Sequence, residues 1–442
     1  MTFDVLVLGG GTAGCVLAAR LSEHPNRTVC LVEAGPDYGP YDDGAWPEDM
    51  VNGRELAFSH AWERTDEDDR SQLRAKILGG CSAHNACVLL RGVPADYDEW
   101  GAGWSHAELE PYLARAESEL RMRRFEDHEV APWQRAFVEA GRRVGLGGDA
   151  HPVNAVGSVR WNTAFAYLDR GRERPNLTIA ADTLVDRVVL RDGRAVGAET
   201  SAGAIEADTT IVSSGAYGSP AILLRSGIGP GLSVDLPVGE QLRDHVGVGY
   251  EWVVDERLSR ATAEYERANP LFMAQVTLWD EAVEVFVFPS NVPLDGGGYE
   301  FTGAVFAMKP HSTGRVTLSS HEPDAPPLIE HGFATDERDV ATLVRALEVV
   351  RELAATEPLS DALGEELRPG ARADLEAYVR SEARGFFHPT GTCSLGQVVD
   401  ARARVLGVEN LIVADASIMP TIPRANTNLS TAAVAERIAE LL

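Results

Sequence analysis

Residues 5–33 constrain this chain more than any other segment. A short apolar run, Val5-Leu6-Val7-Leu8, leads straight into Gly9-Gly10-Gly11-Thr12-Ala13-Gly14. An amphipathic stretch follows, with Val16, Leu17, Ala19 and Leu21 at helical spacing, and a second apolar run, Thr28–Val32, ends at Glu33. A run that is apolar at every position predicts a strand buried on both faces. The order strand, Gly-x-Gly-x-x-Gly, helix, strand, acid predicts a Rossmann-like dinucleotide-binding unit. Gly9 makes the turn, Gly11 lets the backbone approach a pyrophosphate, and Gly14 lets the helix pack closely on the strand. Thr12 and Ala13 open the helix, where free N–H groups and the dipole favour phosphate. Glu33, with Ala34 beside it, is placed to accept hydrogen bonds from ribose hydroxyls and disfavours a 2′-phosphate. The motif alone leaves FAD and NAD open.

A chain of 442 residues is long for one core, so two domains are expected. Its 67 acidic residues against 40 basic ones give a net charge of −27, which repels nucleic acid and anionic lipid and excludes both as expected partners. Five cysteines give no paired framework and read as reduced thiols. With no signal peptide and no membrane-length apolar run in view, a cytoplasmic protein is expected.

Four separated blocks carry a family resemblance. They are FDVLVLGGGTAGCVLAARLSE with VCLVEAG; RAKILGGCSAHNACVLLRG at 74–92; SSGAYGSPAILLRSGIGP at 213–230 with PVGEQLRDH at 237–245; and FFHPTGTCSLG with NLIVADASIMPTIPRANTNLS near the C-terminus. In order and spacing the chain resembles the glucose–methanol–choline (GMC) flavoprotein oxidoreductases over almost its whole length. The resemblance implies FAD rather than NAD. It implies a mixed α/β protein: a Rossmann-like FAD domain from 1–95, 165–245 and 385–442, and a substrate domain from 96–164 and 246–384, built on an antiparallel sheet flanked by helices. The family usually runs longer, so this chain is trimmed. Local patterns add strands in EVFVFPS and GRVTLSS and an amphipathic helix over 336–358 that ends before a proline.

The resemblance also assigns chemistry. His388, in Phe387-His388-Pro389-Thr390-Gly391-Thr392, matches the active-site base, and an imidazole that titrates near neutrality suits that task. Asn426 matches the second residue of the family's pair; it cannot act as a base but can hold a substrate oxygen. Asp415 and Ala416 would lie near the pyrophosphate and ribitol, although Asp415 or Ser417 also reads as an ordinary turn or helix cap. Thr427 opens a C-terminal helix whose N-terminus would face the flavin. Val185 would meet adenine through its backbone. Gly79, Gly80, Ser82, Asn85 and Ala86 form a loop against the flavin, with Ser82 capping the turn or binding a phosphate oxygen and Asn85 offering its amide to the flavin edge. In the choline-oxidase branch a similar loop carries a histidine bonded to the flavin 8α carbon. By that likeness His84 tethers FAD covalently; the alternative is a non-covalent histidine beside the dimethylbenzene ring. His245 reads as structural.

The implied reaction is oxidation of an alcohol to an aldehyde or ketone by hydride transfer to flavin N5, with dioxygen as acceptor. An FAD-dependent dehydrogenase that uses another acceptor, a non-redox FAD lyase and a non-catalytic flavin protein are the rivals. The partner is a small alcohol, no metal is implied, and the chain is a monomer or homodimer. Glu284 holds a cationic substrate if it faces the cavity and is a surface charge otherwise. Trp279 and Phe272 either line an aromatic pocket or fill core.

Overall fold

The computed structural model describes residues 2–54, 56–63, 73–269, 272–281, 284–293 and 299–442. Ala282 and Val283, which precede Glu284, lie outside them. Among the described residues two seven-stranded sheets are the largest. In the first, the strands run in the order 177–180, 29–32, 2–8, 203–212, 194–200, 185–191, and 411–413 also pairs with 203–212. The pairings among 177–180, 29–32, 2–8, 203–212 and 411–413 are parallel. The 185–212 meander adds two antiparallel pairings. Val5 to Leu8 and Val29 to Val32 are buried throughout, because helices cover both faces of a parallel sheet.

The second sheet is antiparallel, in the order 363–368, 246–254, 299–307, 285–293, 276–280, 147–150, with 384–385 also pairing to 246–254. Helices Pro132–Arg143 and Glu337–Ala354 pack on it. The helix expected over 336–358 begins after Asp336, whose carboxylate caps the Arg338 N–H, and stops at Ala354, short of the expected end. Of the two β-rich runs named above, EVFVFPS enters this sheet, whereas Arg315–Thr317 pairs with Leu328–Glu330 in a separate ribbon.

Side-chain packing moves the expected domain division. Tyr97, Trp100, Trp104, Leu109, Leu113 and Leu120 pack in the core of the first sheet, not the second. The cause is helix His106–Glu119, which lays Leu109, Leu113 and Ala116 toward the C-terminal helix Thr427–Leu441. Trp161 and Ala164 join the same core. A division at 95/96 and 164/165 cuts through these contacts, and we propose that the second unit spans about residues 121–160 and 246–384.

Candidate functional site

A cavity of about 820 Å³ runs beside the C-terminal ends of the first strands and opens toward the second sheet. Its floor is the glycine turn. Helix Thr12–Leu21 starts at Gly11 with no side-chain cap, so the amides of its first turn are left for a ligand. Gly14 lies against the turn itself: a Cβ there would sit 1.9 Å from the Gly9 carbonyl oxygen. Glu33 is buried and accepts the N–H groups of Gly10 (2.8 Å) and Gly35 (2.9 Å). Burial outweighs these bonds and pushes its carboxyl up to about 7.

The GGCSAHNAC loop closes one wall. The Gly79 N–H donates to the Gly10 carbonyl at 2.8 Å. Gly80, at φ +52°, approaches so closely that a Cβ would lie 2.6 Å from the Gly11 Cα. Ser82 is not in the cavity wall; its hydroxyl donates to the Gly79 carbonyl (2.6 Å) and bonds Thr163 Oγ1 (2.8 Å). The Asn85 side-chain oxygen accepts the Cys87 N–H. His84 lines the cavity, buried, with no partner at Nε2. Burial opposes ionisation of the neighbouring Cys81 thiol, yet the hydrogen-bonded His84 and the charge of Arg74 bring it down to about 6.

The opposite wall carries His388. Its Nδ1 lies 2.9 Å from His245 Nδ1, and its Nε2 lies 3.2 Å from Asn426 Nδ2. The protons follow by elimination. His245 Nε2 faces the Pro423 carbonyl at 2.9 Å, which only accepts, so that nitrogen carries the hydrogen. Neutral His245 is therefore bare at Nδ1 and takes the Nδ1–H of His388. This leaves His388 Nε2 as a lone-pair acceptor beside the Asn426 amide. Burial, then His245 and Arg74, hold the His388 imidazole well below the ordinary histidine range, and burial brings His245 down to about 3. Asp244 accepts the N–H groups of His388 (2.9 Å) and Phe386 (3.3 Å), flanking Phe387, a non-glycine residue at φ +63°.

The cavity wall includes all the expected site residues except Gly14, Gly79 and Ser82, which act through packing and turn geometry. Asp415 touches the cavity and is also a cap: it accepts from Ser417 N, Gly215 N and Ser219 Oγ, at 2.8, 2.9 and 2.5 Å. Glu284 is not in the cavity wall; it pairs with Arg424. Phe272 fills the core against Phe125, and Trp279 is partly exposed away from the cavity. Beside His388 the aromatic lining is supplied instead by Phe306 and Phe386, stacked at 3.7 Å, with the Phe386 ring 4.6 Å from His388. Sequence reasoning missed Asp244 and His245 as hydrogen-bond partners of His388, and Asn428, whose Oδ1 accepts from Thr12. The adjacent Asp-His of LRDH and the second Asn of ANTN were the available signals.

A dinucleotide with a flavin fits these residues. Buried polar atoms at His84 Nε2, Asn426 Oδ1 and Asn428 Nδ2 have no protein partner, and all three residues line the cavity. Such atoms cost free energy unless a ligand meets them. Two helices, Thr12–Leu21 and Thr427–Leu441, begin at the cavity without side-chain caps.

Family models described as GMC oxidoreductase match residues 3–247 and 310–435. The chain belongs to the GMC oxidoreductase family. As a GMC oxidoreductase it binds FAD and is an FAD-dependent oxidoreductase acting on CH–OH groups. It is 30% identical to the oxygen-dependent choline dehydrogenase of Photobacterium profundum, over all of this chain and 93% of the relative. It is 31% identical to the mitochondrial choline dehydrogenase of Homo sapiens, over all of this chain and 89% of the relative. The first alignment spans 534 positions against 442 residues, so at least 92 positions are gaps in this chain. Pyridoxine 4-oxidase from Mesorbium loti superposes with a TM-score of 0.87 at 27% identity, covering 100% of this chain and 99% of that one. Among the described residues no helix is long and apolar enough to cross a membrane.

Proposed function

We propose that this GMC oxidoreductase oxidises a primary or secondary alcohol carried on an aromatic or apolar group, with His388 as the base and dioxygen as the acceptor. The observation that carries the proposal is the bare Nε2 of His388, 3.2 Å from Asn426 Nδ2. His388 Nε2 accepts the hydroxyl proton as the carbon is oxidised. Asn426 Nδ2 donates to the substrate oxygen and holds it in line. Bound FAD supplies the hydride acceptor, and the alcohol carbon leaves as an aldehyde or ketone. The uncapped start of helix Thr427–Leu441 favours negative charge at the cavity. Cavity residues Thr12, Glu33, Val185, Asp415 and the His84 loop would hold FAD, His84 through a covalent bond.

Phe306 and Phe386 support an aromatic or apolar substrate. The curated relatives are named for choline, a cation, and the aligned structure for pyridoxine, which has an aromatic ring. Here Glu284 is paired with Arg424, and Asp415 is bonded to three protein donors.

Anaerobic bleaching of the flavin tests the reading. A panel should include an aryl-methanol, pyridoxine, a straight-chain alcohol and choline. The aromatic alcohols are expected to bleach fastest, and readmitted air should restore the colour with stoichiometric peroxide. Bleaching by choline alone refutes the substrate class. Reoxidation only by a dye or quinone refutes dioxygen as acceptor.

A further inference from the structure

The His84 loop is held from below by a buried cation. Arg160 lies in the short strand Val159–Arg160, and the solvent does not reach it. Its Nε donates to the Asn85 carbonyl at 2.7 Å, and its Nη1 donates to the carbonyls of Ala83 (2.8 Å), Met50 (2.9 Å) and Asp49 (3.0 Å). Two of these carbonyls flank residue 84. The one between them, His84 O, accepts the Ala57 N–H at 3.2 Å. Three consecutive carbonyls are thus pinned, while the ring nitrogen Nε2 of the central residue has no partner and lines the cavity. A guanidinium is expensive to bury. Its planar fork suits several fixed acceptors at once, as a flexible ammonium does not.

We propose that Arg160 is a positioning residue that aims His84 Nε2 for covalent attachment of FAD; this rests on the covalent reading of His84 given above. In that attachment the C–H bond at the 8α methyl carbon breaks and a C–N bond to Nε2 forms. The electron pair stays on the isoalloxazine, and the methyl and imidazole protons reach the reduced ring through solvent. Dioxygen then restores the oxidised ring and leaves as hydrogen peroxide. Arg160 takes no part in bonding to the flavin. It restricts the loop, so the rate of C–N bond formation depends on it, while non-covalent uptake of FAD depends on the glycine turn and the two helix starts.

The test uses full-length protein expressed without flavin and then incubated with FAD in air. Flavin retained by the acid-precipitated pellet and the mass increase of one FAD are followed with time. Wild type should become covalent and His84→Ala should stay non-covalent. Arg160→Met should bind FAD but attach it about tenfold or more slowly, since a displacement near 1 Å can cost about 100-fold in a positioned reaction. Arg160→Lys should fall between and is the readout if the methionine variant does not fold. Attachment at the wild-type rate in whichever Arg160 variant folds overturns the role of Arg160 and leaves the covalent reading standing. A colourless wild-type pellet overturns both.

Discussion

His245 and His388 face each other through their Nδ1 atoms at 2.9 Å, and only one of the two nitrogens can carry a proton in the neutral pair. The Pro423 carbonyl decides which, because it requires the hydrogen of His245 to sit on Nε2. A carbonyl on a neighbouring loop thereby sets the tautomer of a side chain two bonds away. His245→Asn keeps an acceptor for the His388 Nδ1–H and should retain most activity. His245→Leu removes it, frees the tautomer, and should lower kcat/KM by about 10²-fold, within the range for general-base loss. The check is the pair of variants, each with its FAD content and pH profile. Equal losses in both would refute control by tautomer.

The pH dependence follows from the same burial. The proposed base His388 would work neutral, and burial holds its pKa well below the ordinary value. The acid limb of kcat/KM should therefore fall below about pH 6.5, the unperturbed histidine value, with activity held above it and lost as the imidazole protonates. His388→Ala should slow anaerobic flavin reduction by about 10²–10⁴-fold and abolish that limb, with FAD still bound. Stopped-flow absorbance across pH measures both.

Gly80→Ala tests the cradle. The new Cβ meets the Gly11 backbone at 2.6 Å and sits at φ +52°. Strain of about 1–3 kcal/mol should appear as a lower melting temperature, and the purified variant should carry substoichiometric flavin. A full FAD complement at wild-type stability would show that the loop can move apart from the turn.

Glu33 gives a stability signature in the flavin-free protein. Its folded pKa, about 7, stands above the ordinary 4.5 because burial disfavours the carboxylate. The stabilising effect of the proton is full below pH 4.5 and is lost as pH rises through 7. Glu33→Gln cannot titrate. Whatever its constant offset, the variant should gain melting temperature relative to wild type as pH is raised from 4.5 to 7. A flat difference across that range would mean that the Glu33 carboxyl titrates at its ordinary value.

The first sheet was legible because its signals are local. Val5–Leu8 and Val29–Val32 are apolar at every position, and the glycines between them have few other uses. The cavity residues contributed by Gly9–Glu33, His84–Ala86 and Asn426–Thr427 lie within motif blocks, so spacing and resemblance found them. Helix His106–Glu119 falls within 96–164, the stretch expected in the substrate domain, yet packs in the core of the first sheet. Its Leu109, Leu113 and Ala116 mark an apolar face, but helical periodicity does not say which core that face meets. Glu284 is a turn residue at φ +53° just before strand Val285–Pro293, and Phe272 precedes strand Val276–Asp280, so alternation places neither. For Trp279, which is in that second strand, alternation separates two faces without telling which one borders a cavity.

From the sequence alone came the binding unit, the family, the candidate base His388 and its partner Asn426, because each depends on residue type at short range. The tertiary structure alone decided how those groups are armed. His245 lies 143 residues from His388, and Arg160 lies 75 residues from Asn85. Proton placement on His388 and the pinning of the carbonyls around His84 rest on hydrogen bonds between distant segments. Such bonds have no periodicity along the chain, and they exist only once folding has excluded water from both partners.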